Sequence, residues 1–332
     1  MRPDAADTPS WPAPGRFSKA LVCTRKRGGF TQQNGQSEMK RWRLAGLWLS
    51  VCLAGCATVP GVVTDTAGGR TVEHALAGQG TPVVVFENGL GARLDWWAKV
   101  WPDTVQQTTA LAYNRAGYGN SEASPEPRDG AHVVEELRAL LQARKLPPPY
   151  VLVGHSLGGL YMQLYARQYP GEVAALVLVD STHPDQMRGA GNPDLWPTWL
   201  KVAFRLGTSD VVKQELAALD ATGQRVASLP VDPAVPVFVL SALRTPGASS
   251  ALADDVQRKR ADFAHLYPGS TQVWVDSGHG IPLEKPEVVL QAIRDAVQAA
   301  RAAQATRAAP PGCAPAAGGL PGACAQGVQS GG

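Results

Sequence analysis

The sequence predicts an α/β protein, a mostly parallel sheet with helices on both faces and a small helical insertion. Short runs rich in β-branched residues recur along the chain, separated by stretches with helical spacing, the rhythm of strand–helix–strand units. Several of these runs are apolar throughout rather than alternating, as strands buried on both faces must be. With 332 residues, 44% of them hydrophobic and 18% charged, the chain has enough apolar material for one large domain.

The first 38 residues break this rhythm. They show no hydrophobic period and mix Pro, Gly, Gln and Arg, so residues 1–38 read as a disordered or non-native extension. Met39 then opens a basic stretch (Lys40, Arg41, Arg43) that runs into an apolar segment over residues 44–53. This is the charged-then-apolar order of an export signal, too short to span a membrane as a mature helix, and it makes Met39 a better start than Met1. The segment 39–55 ends in Leu53-Ala54-Gly55-Cys56, which resembles the lipobox of bacterial lipoproteins. The resemblance implies lipidation of Cys56, loss of residues 39–55, and export. With Ala57 next, it implies an outer-membrane anchor with the body facing the periplasm or the cell surface. Several acyl chains on Cys56 would hold the protein stably where one would not.

From residue 58 the elements follow in order. Residues 59–63, a Gly68-Gly69 turn and residues 71–76 suggest a hairpin. Residues 83–86 and 109–113 are short apolar strands, the first bounded by Pro82 and Asn88-Gly89. Val133, Val134, Leu137, Leu140 and Leu141 mark a helix that stops before Pro147-Pro148-Pro149. A strand over 150–153, a helix over 160–169 and a strand over 174–179 come next, then strands at 237–240 and 272–275 and a last helix over 288–300. The interruption at 185–230 reads as a helical cap, with Trp196, Trp199, Val202, Phe204 and Leu206 as either its core or an apolar substrate wall. The domain therefore runs over 56–302, and the Ala/Pro/Gly-rich residues 303–332 read as a disordered tail. Within that tail Cys313 and Cys324 could pair in an oxidising compartment, and the absence of a nearby His argues against zinc.

Charge narrows the function classes. Residues 1–55 hold nine Lys/Arg against three Asp/Glu, while residues 56–332 hold 22 against 25. A mildly acidic body lacks the basic face that nucleic-acid binding needs. No apolar run reaches 18 residues, which excludes a multi-span membrane protein.

One motif carries chemistry. Gly154-His155-Ser156-Leu157-Gly158-Gly159 is G-x-S-x-G set between a buried strand and a helix. That setting makes a turn so tight that its flanking positions need glycine, and it lifts a serine hydroxyl above the sheet. The helix that follows brings free N–H groups and the positive end of its dipole to the same place. Ser156 is the expected nucleophile, with the Leu157 N–H as an oxyanion donor. A hydroxyl needs a base, and His279, in the turn after the last strand, is in position to supply one. His155, inside the motif, reads as packing.

With these residues in view, the segment from about 70 to 300 resembles the α/β-hydrolase superfamily. The elbow at 154–159, the run Gly278-His279…Pro282…Glu284-Lys285-Pro286-Glu287 and the turn Tyr113-Asn114-Arg115-Ala116-Gly117-Tyr118-Gly119-Asn120-Ser121 are similar to it. The resemblance implies a Ser–His–acid triad and a second oxyanion donor at Leu90, with Arg115 as a loop brace. Two departures stand out. The loop after residues 83–86 carries Glu87-Asn88-Gly89-Leu90-Gly91 where His-Gly is usual. The segment after 237–240, where the acid usually lies, is Ser241-Ala242-Leu243-Arg244-Thr245-Pro246-Gly247, without a carboxylate. Some members of the superfamily place the acid after the preceding strand, and by that resemblance Asp180, at the carboxyl end of the strand 174–179, is the expected acid, unless it merely caps the next turn. Asp254 and Asp255, on a helical stretch expected to face solvent, are the alternatives.

The implied activity is serine hydrolysis of a carboxylic ester or related acyl bond in a small-molecule substrate, with no metal or organic cofactor. Amidase, thioesterase, C–C bond hydrolase and perhydrolase chemistry use the same three roles and stay open. So does a non-catalytic binding lipoprotein on the same fold.

Overall fold

The strands assemble into one eight-stranded sheet. The computed structural model describes residues 58–195, 198, 207–245 and 250–308, all within the compact unit Cys56–Gly332. The export segment with Cys56, the aromatic run from Trp196 and Trp199 to Val202, Phe204 and Leu206, and Cys313 and Cys324 lie outside the described residues. In chain order the strands are β1 (Val63–Ala67), β2 (Arg70–Ala77), β3 (Val83–Glu87), β4 (Ala110–Tyr113), β5 (Tyr150–His155), β6 (Val173–Val179), β7 (Val237–Ala242) and β8 (Thr271–Val275). Their order in the sheet is β1-β2-β4-β3-β5-β6-β7-β8. β2 is antiparallel to both its neighbours, and every other pairing is parallel.

The helices are α1 (Trp101–Gln107), α2 (Gly130–Ala143), α3 (Leu157–Gln168), α4 (Asp210–Ala217), α5 (Leu219–Ser228), α6 (Ala251–Leu266), α7 (Ile281–Glu284) and α8 (Pro286–Ala308). The continuous apolar strands earn their composition by burying both faces. One face sets Val83, Val85, Leu152, Leu176 and Leu178 against Leu137 and Leu141 of α2, Leu160 and Leu164 of α3 and Phe263 of α6. The other sets Val84, Phe86, Val151, Val153 and Val177 against Trp97, Trp101 of α1 and Ile293 and Val297 of α8.

Three local expectations shift. The first strand begins at Val63 rather than 59, because residues 60–61 turn, with Gly61 at φ 74°. Val59 is buried instead, its N–H donating to Asp95 Oδ1 at 2.9 Å. Helix α1 had no counterpart in the sequence reading. The last helix runs past residue 300 to Ala308, so the first residues assigned to the tail are helical, the Arg301 side chain tying this turn to the Thr81 and Gln107 carbonyls. Of the insertion, residues 185–195, 198 and 207–230 are described, including α4 and α5. Val211 of α4 lies against Gly117 and Thr222 of α5 accepts from Gly130 N at 2.9 Å, which sets this piece over the loops at the carboxyl edge and the start of α2.

Candidate active site

The carboxyl ends of β3, β5, β6 and β8 converge on one spot. The fold brings ligand-contacting loops to this edge because the chain crosses to opposite sides of β3 there. At the end of β5, Ser156 stands at φ 54°, ψ −124°, a backbone conformation that costs of order 1–3 kcal/mol in a non-glycine residue. The turn survives because its neighbours are glycines. A Cβ on Gly154 would lie 2.6 Å from the Gly158 carbonyl oxygen, and one on Gly158 would lie 2.5 Å from the Asn88 and Glu87 carbonyl oxygens. Those close approaches seat the elbow directly on the loop after β3. Leu157 is the first residue of α3, and Gly89, one before Leu90, stands so near that an added Cβ would meet Ser156 Cβ at 3.1 Å. The structure thus brings both Leu157 and the Gly89-Leu90 loop next to Ser156.

His279 follows β8 and is half exposed. Its Nε2 is 3.0 Å from Ser156 Oγ, and its Nδ1 is 2.6 Å from Asp180 Oδ2. Ser156, His279 and Asp180 therefore form an unbroken hydrogen-bond chain. Asp180, at φ 41°, ends β6 and is buried. Burial pushes its carboxyl up, but hydrogen bonds from His279 and Arg260 and the Arg260 charge outweigh this, holding it below the usual carboxylate range.

The two alternative acids lie elsewhere. Asp254 sits in the first turn of α6. Asp255 is buried rather than solvent-facing, a correction to the sequence reading. Its carboxylate takes Arg258 at 2.9 Å and Lys259 at 2.7 Å, and Lys259 Nζ also donates to the Gln186 and Arg188 carbonyls. This face of α6 thus packs on the turn at 186–191, which the local pattern could not reveal.

The departure at Glu87 has a structural answer. Glu87 is fully buried and accepts from Asn88 N at 3.0 Å, from Arg115 Nη1 at 2.6 Å and from the Tyr113 hydroxyl. Burial pushes its carboxyl up, with Arg115 opposing. Arg115 also donates to the Asn88 and Gly89 carbonyls, at 2.6 and 3.1 Å, and to both oxygens of Glu215 on α4, at 2.8 and 2.9 Å. Tyr118 donates to the same Glu215 at 2.7 Å. Arg115 is a brace, as expected, and what it braces is the loop carrying Leu90. Glu215 escaped the sequence reading because it lies 100 residues further along the chain.

His155 does more than fill space. Its Nε2 is 2.8 Å from the His279 carbonyl oxygen, and its ring lies 4.7 Å from the His279 ring and 5.2 Å from Trp96. Burial above all, and then the neighbouring His279, push it down to about 3, so it is neutral and donates from Nε2. A cavity of about 300 Å³ opens beside the Ser156–His279–Asp180 hydrogen-bond chain, lined by Ser156, His279, Thr182, His183, Val256 and Phe263 among others. No cluster that could hold a metal ion occurs among the described residues.

The sequence pattern of the α/β hydrolase fold family matches residues 82–286, and the chain belongs to that family. Among curated relatives, it is 31% identical over 127 residues to the Bacillus subtilis uncharacterized protein YbdG, covering 38% of this chain and 39% of that one. It is 30% identical over 141 residues to the mouse (lyso)-N-acylphosphatidylethanolamine lipase, covering 39% of each. The match thus spans about two-fifths of the length of these relatives. Cfl2 from Burkholderia cenocepacia superimposes with a TM-score of 0.53 at 20% identity, covering 71% of this chain and 95% of that one. A hydrolase from Pseudomonas aeruginosa gives 0.50 at 19% identity, over 72% and 99%. At such identities the likeness is one of fold.

Proposed function

We propose that the protein is a serine hydrolase of carboxylic esters working through an acyl-enzyme. The observation that carries this reading is the continuous chain from Ser156 Oγ through His279 to the Asp180 carboxylate. In this reading His279 Nε2 takes the Ser156 proton as Oγ attacks the ester carbonyl, and later returns it to the leaving alcohol. Asp180 keeps the Nδ1 proton in place and offsets the charge of the imidazolium. The N–H groups of Leu157 and Leu90 receive the oxyanion, each such donor being worth about 3–4 kcal/mol in comparable sites. Water then clears the acyl group by the same proton route. The steps call for no metal or cofactor. Lipase activity in the mouse relative's name points toward an ester as the bond cleaved. The test is turnover of p-nitrophenyl esters of graded acyl length, together with fluorophosphonate labelling. Labelling that persists in Ser156→Ala, or none in the wild type, would overturn the assignment.

We further propose that the protein is an exported lipoprotein held to the membrane at Cys56, on the strength of the Leu53-Ala54-Gly55-Cys56 run behind its basic and apolar segments. Among the described residues no helix is long and apolar enough to cross a membrane. Expressed from Met39 in a Gram-negative host, the wild type should take up labelled fatty acid and Cys56→Ala should not. A soluble wild-type protein beginning at Ala57 or later would overturn this.

A further inference from the structure

The Asp180 carboxylate is held in a way the triad alone does not require. Arg260, on α6, lays its guanidinium across both oxygens, Nε to Oδ1 at 2.7 Å and Nη2 to Oδ2 at 2.6 Å. The Ala242 N–H donates to Oδ1 at 3.0 Å, and His279 Nδ1 sits at 2.6 Å from Oδ2. Four donor groups from three residues thus occupy the four acceptor positions of the carboxylate, so it cannot turn without breaking a bond. Both side chains of the ion pair are buried, at 8% and 2% exposure, where a fork-to-fork contact is strongest and least screened. The Gln272 amide donates to the Arg260 carbonyl at 2.7 Å and so ties β8 to this turn of α6.

Resting on the hydrolase reading, we propose that Arg260 is a positioning residue of this site: its fork fixes the Asp180 carboxylate, and its permanent charge sets the acid limit of activity. The reasoning is electrostatic. The His279–Asp180 pair gains one positive charge when it takes up an extra proton at low pH, and a fixed cation bonded to Asp180 opposes that uptake. While the extra proton is absent, Nε2 is free to accept from Ser156. Removing the cation lets the pair keep the proton to higher pH, and the acid limb of the rate profile moves up.

The other charged groups facing the pair do not take over this role. Lys259, also on α6, is bonded to Asp255, and Glu284 of α7, beside Gly278, is bonded to Arg244 from the segment after β7. Asp276, before the His279 turn, also lies within ion-pair range of Arg244. His183, across the cavity, is bonded to Asp262, and His155 is neutral. Arg260 alone, among these described cations, has Asp180 as its partner.

The experiment is the rate of fluorophosphonate labelling of Ser156 across about pH 4–8, the range in which imidazole chemistry switches. Arg260→Gln should label more slowly and lose half its rate about one pH unit or more above the wild type. Arg260→Lys, which keeps charge but not the fork, should hold the wild-type limb while losing several-fold in rate. A slower Arg260→Gln with an unmoved limb would reduce the arginine to a structural prop and overturn the proposal. So would an Arg260→Lys limb displaced as far as that of Arg260→Gln. If Arg260→Gln does not fold, because it strands a buried carboxylate, Asp180→Asn/Arg260→Gln removes both charges together. As pH falls, its residual labelling should be lost at a higher pH than that of Asp180→Asn, and coincidence of those two acid limbs would likewise overturn the proposal. A wild-type protein that does not label at all would instead count against the hydrolase reading.

Discussion

Ser156 and Asp180, the proposed nucleophile and acid, end neighbouring strands of one sheet edge, yet they are held by opposite means. Ser156 is held by backbone: a left-handed φ, glycines at 154 and 158, and carbonyls packed where side chains would be. Asp180 shares the left-handed φ, but its carboxylate is fixed mainly by side chains that arrive from far along the chain, Arg260 from 80 residues on and His279 from 99. A backbone-held group is sensitive to added volume nearby. A side-chain-held group is sensitive to lost charge at a distance.

The largest effect tests the nucleophile end. Ser156→Ala should remove ester turnover by about 10⁶-fold, with folding unchanged by circular dichroism, because only one hydroxyl is lost. At the acid end, Asp180→Asn should cost about 10³–10⁴-fold in kcat, the loss seen when a triad histidine is left in the wrong tautomer. Asp254→Asn and Asp255→Asn should stay within about tenfold of wild type, since neither carboxylate bonds His279 and only the stability of α6 is disturbed. A collapse in either of those, with Asp180→Asn active, would move the acid to α6.

Stability measurements sharpen the contrast further. Arg115→Met leaves Glu87 and Glu215 buried without their cation and should destabilise by about 3–5 kcal/mol in denaturant titration. Gly158→Ala, which changes no charge, should cost about 1–3 kcal/mol by overpacking and should lower kcat more than it raises KM, because the intruding methyl displaces the Glu87-Asn88 carbonyls next to the oxyanion loop. The smallest effect is a slope. His155 is held down to about 3 when folded and returns to about 6.5 when unfolded, so the unfolded chain binds the extra proton between those values. Its contribution to stability is complete above about pH 6.5 and is lost as pH falls toward 3. His155→Gln should therefore show a smaller drop in Tm between about pH 7 and 5 than the wild type, the remaining drop coming from His74 and His183, which burial also pushes down. An equal drop would mean that His155 titrates normally.

What was legible in the sequence follows the same division. The sheet could be read because doubly buried strands are apolar in unbroken runs, and the elbow because a turn held by backbone must leave glycines in the sequence. Asp180 was reachable through the superfamily resemblance, which allows the acid after either of two strands, and the segment after β7 carries no carboxylate. Arg260 and Glu215 were not reachable. Each is one polar residue on an amphipathic helix, and its partner is fixed only when α6 or α4 has docked. The burial of Asp255 was hidden for the same reason, because the turn that covers it comes from residues 186–191. Helix α1 was missed because its seven residues are too few to display a period.

The contact between Glu215 and Arg115 bears on how this scaffold could be re-engineered. Insertions over a hydrolase sheet invite exchange, since they vary in length and line the entrance to the site. Here the helix 210–217 supplies one of the two carboxylates on Arg115, and the other belongs to the strand end that leads into Leu90. A grafted insertion lacking an acid at that position would leave the guanidinium half-neutralised, with the Tyr118 hydroxyl losing its acceptor too. The insertion is therefore not a free module. A chimera should transplant residues 87, 115, 118 and 215 as one set, and a library that randomises the insertion should hold position 215 constant.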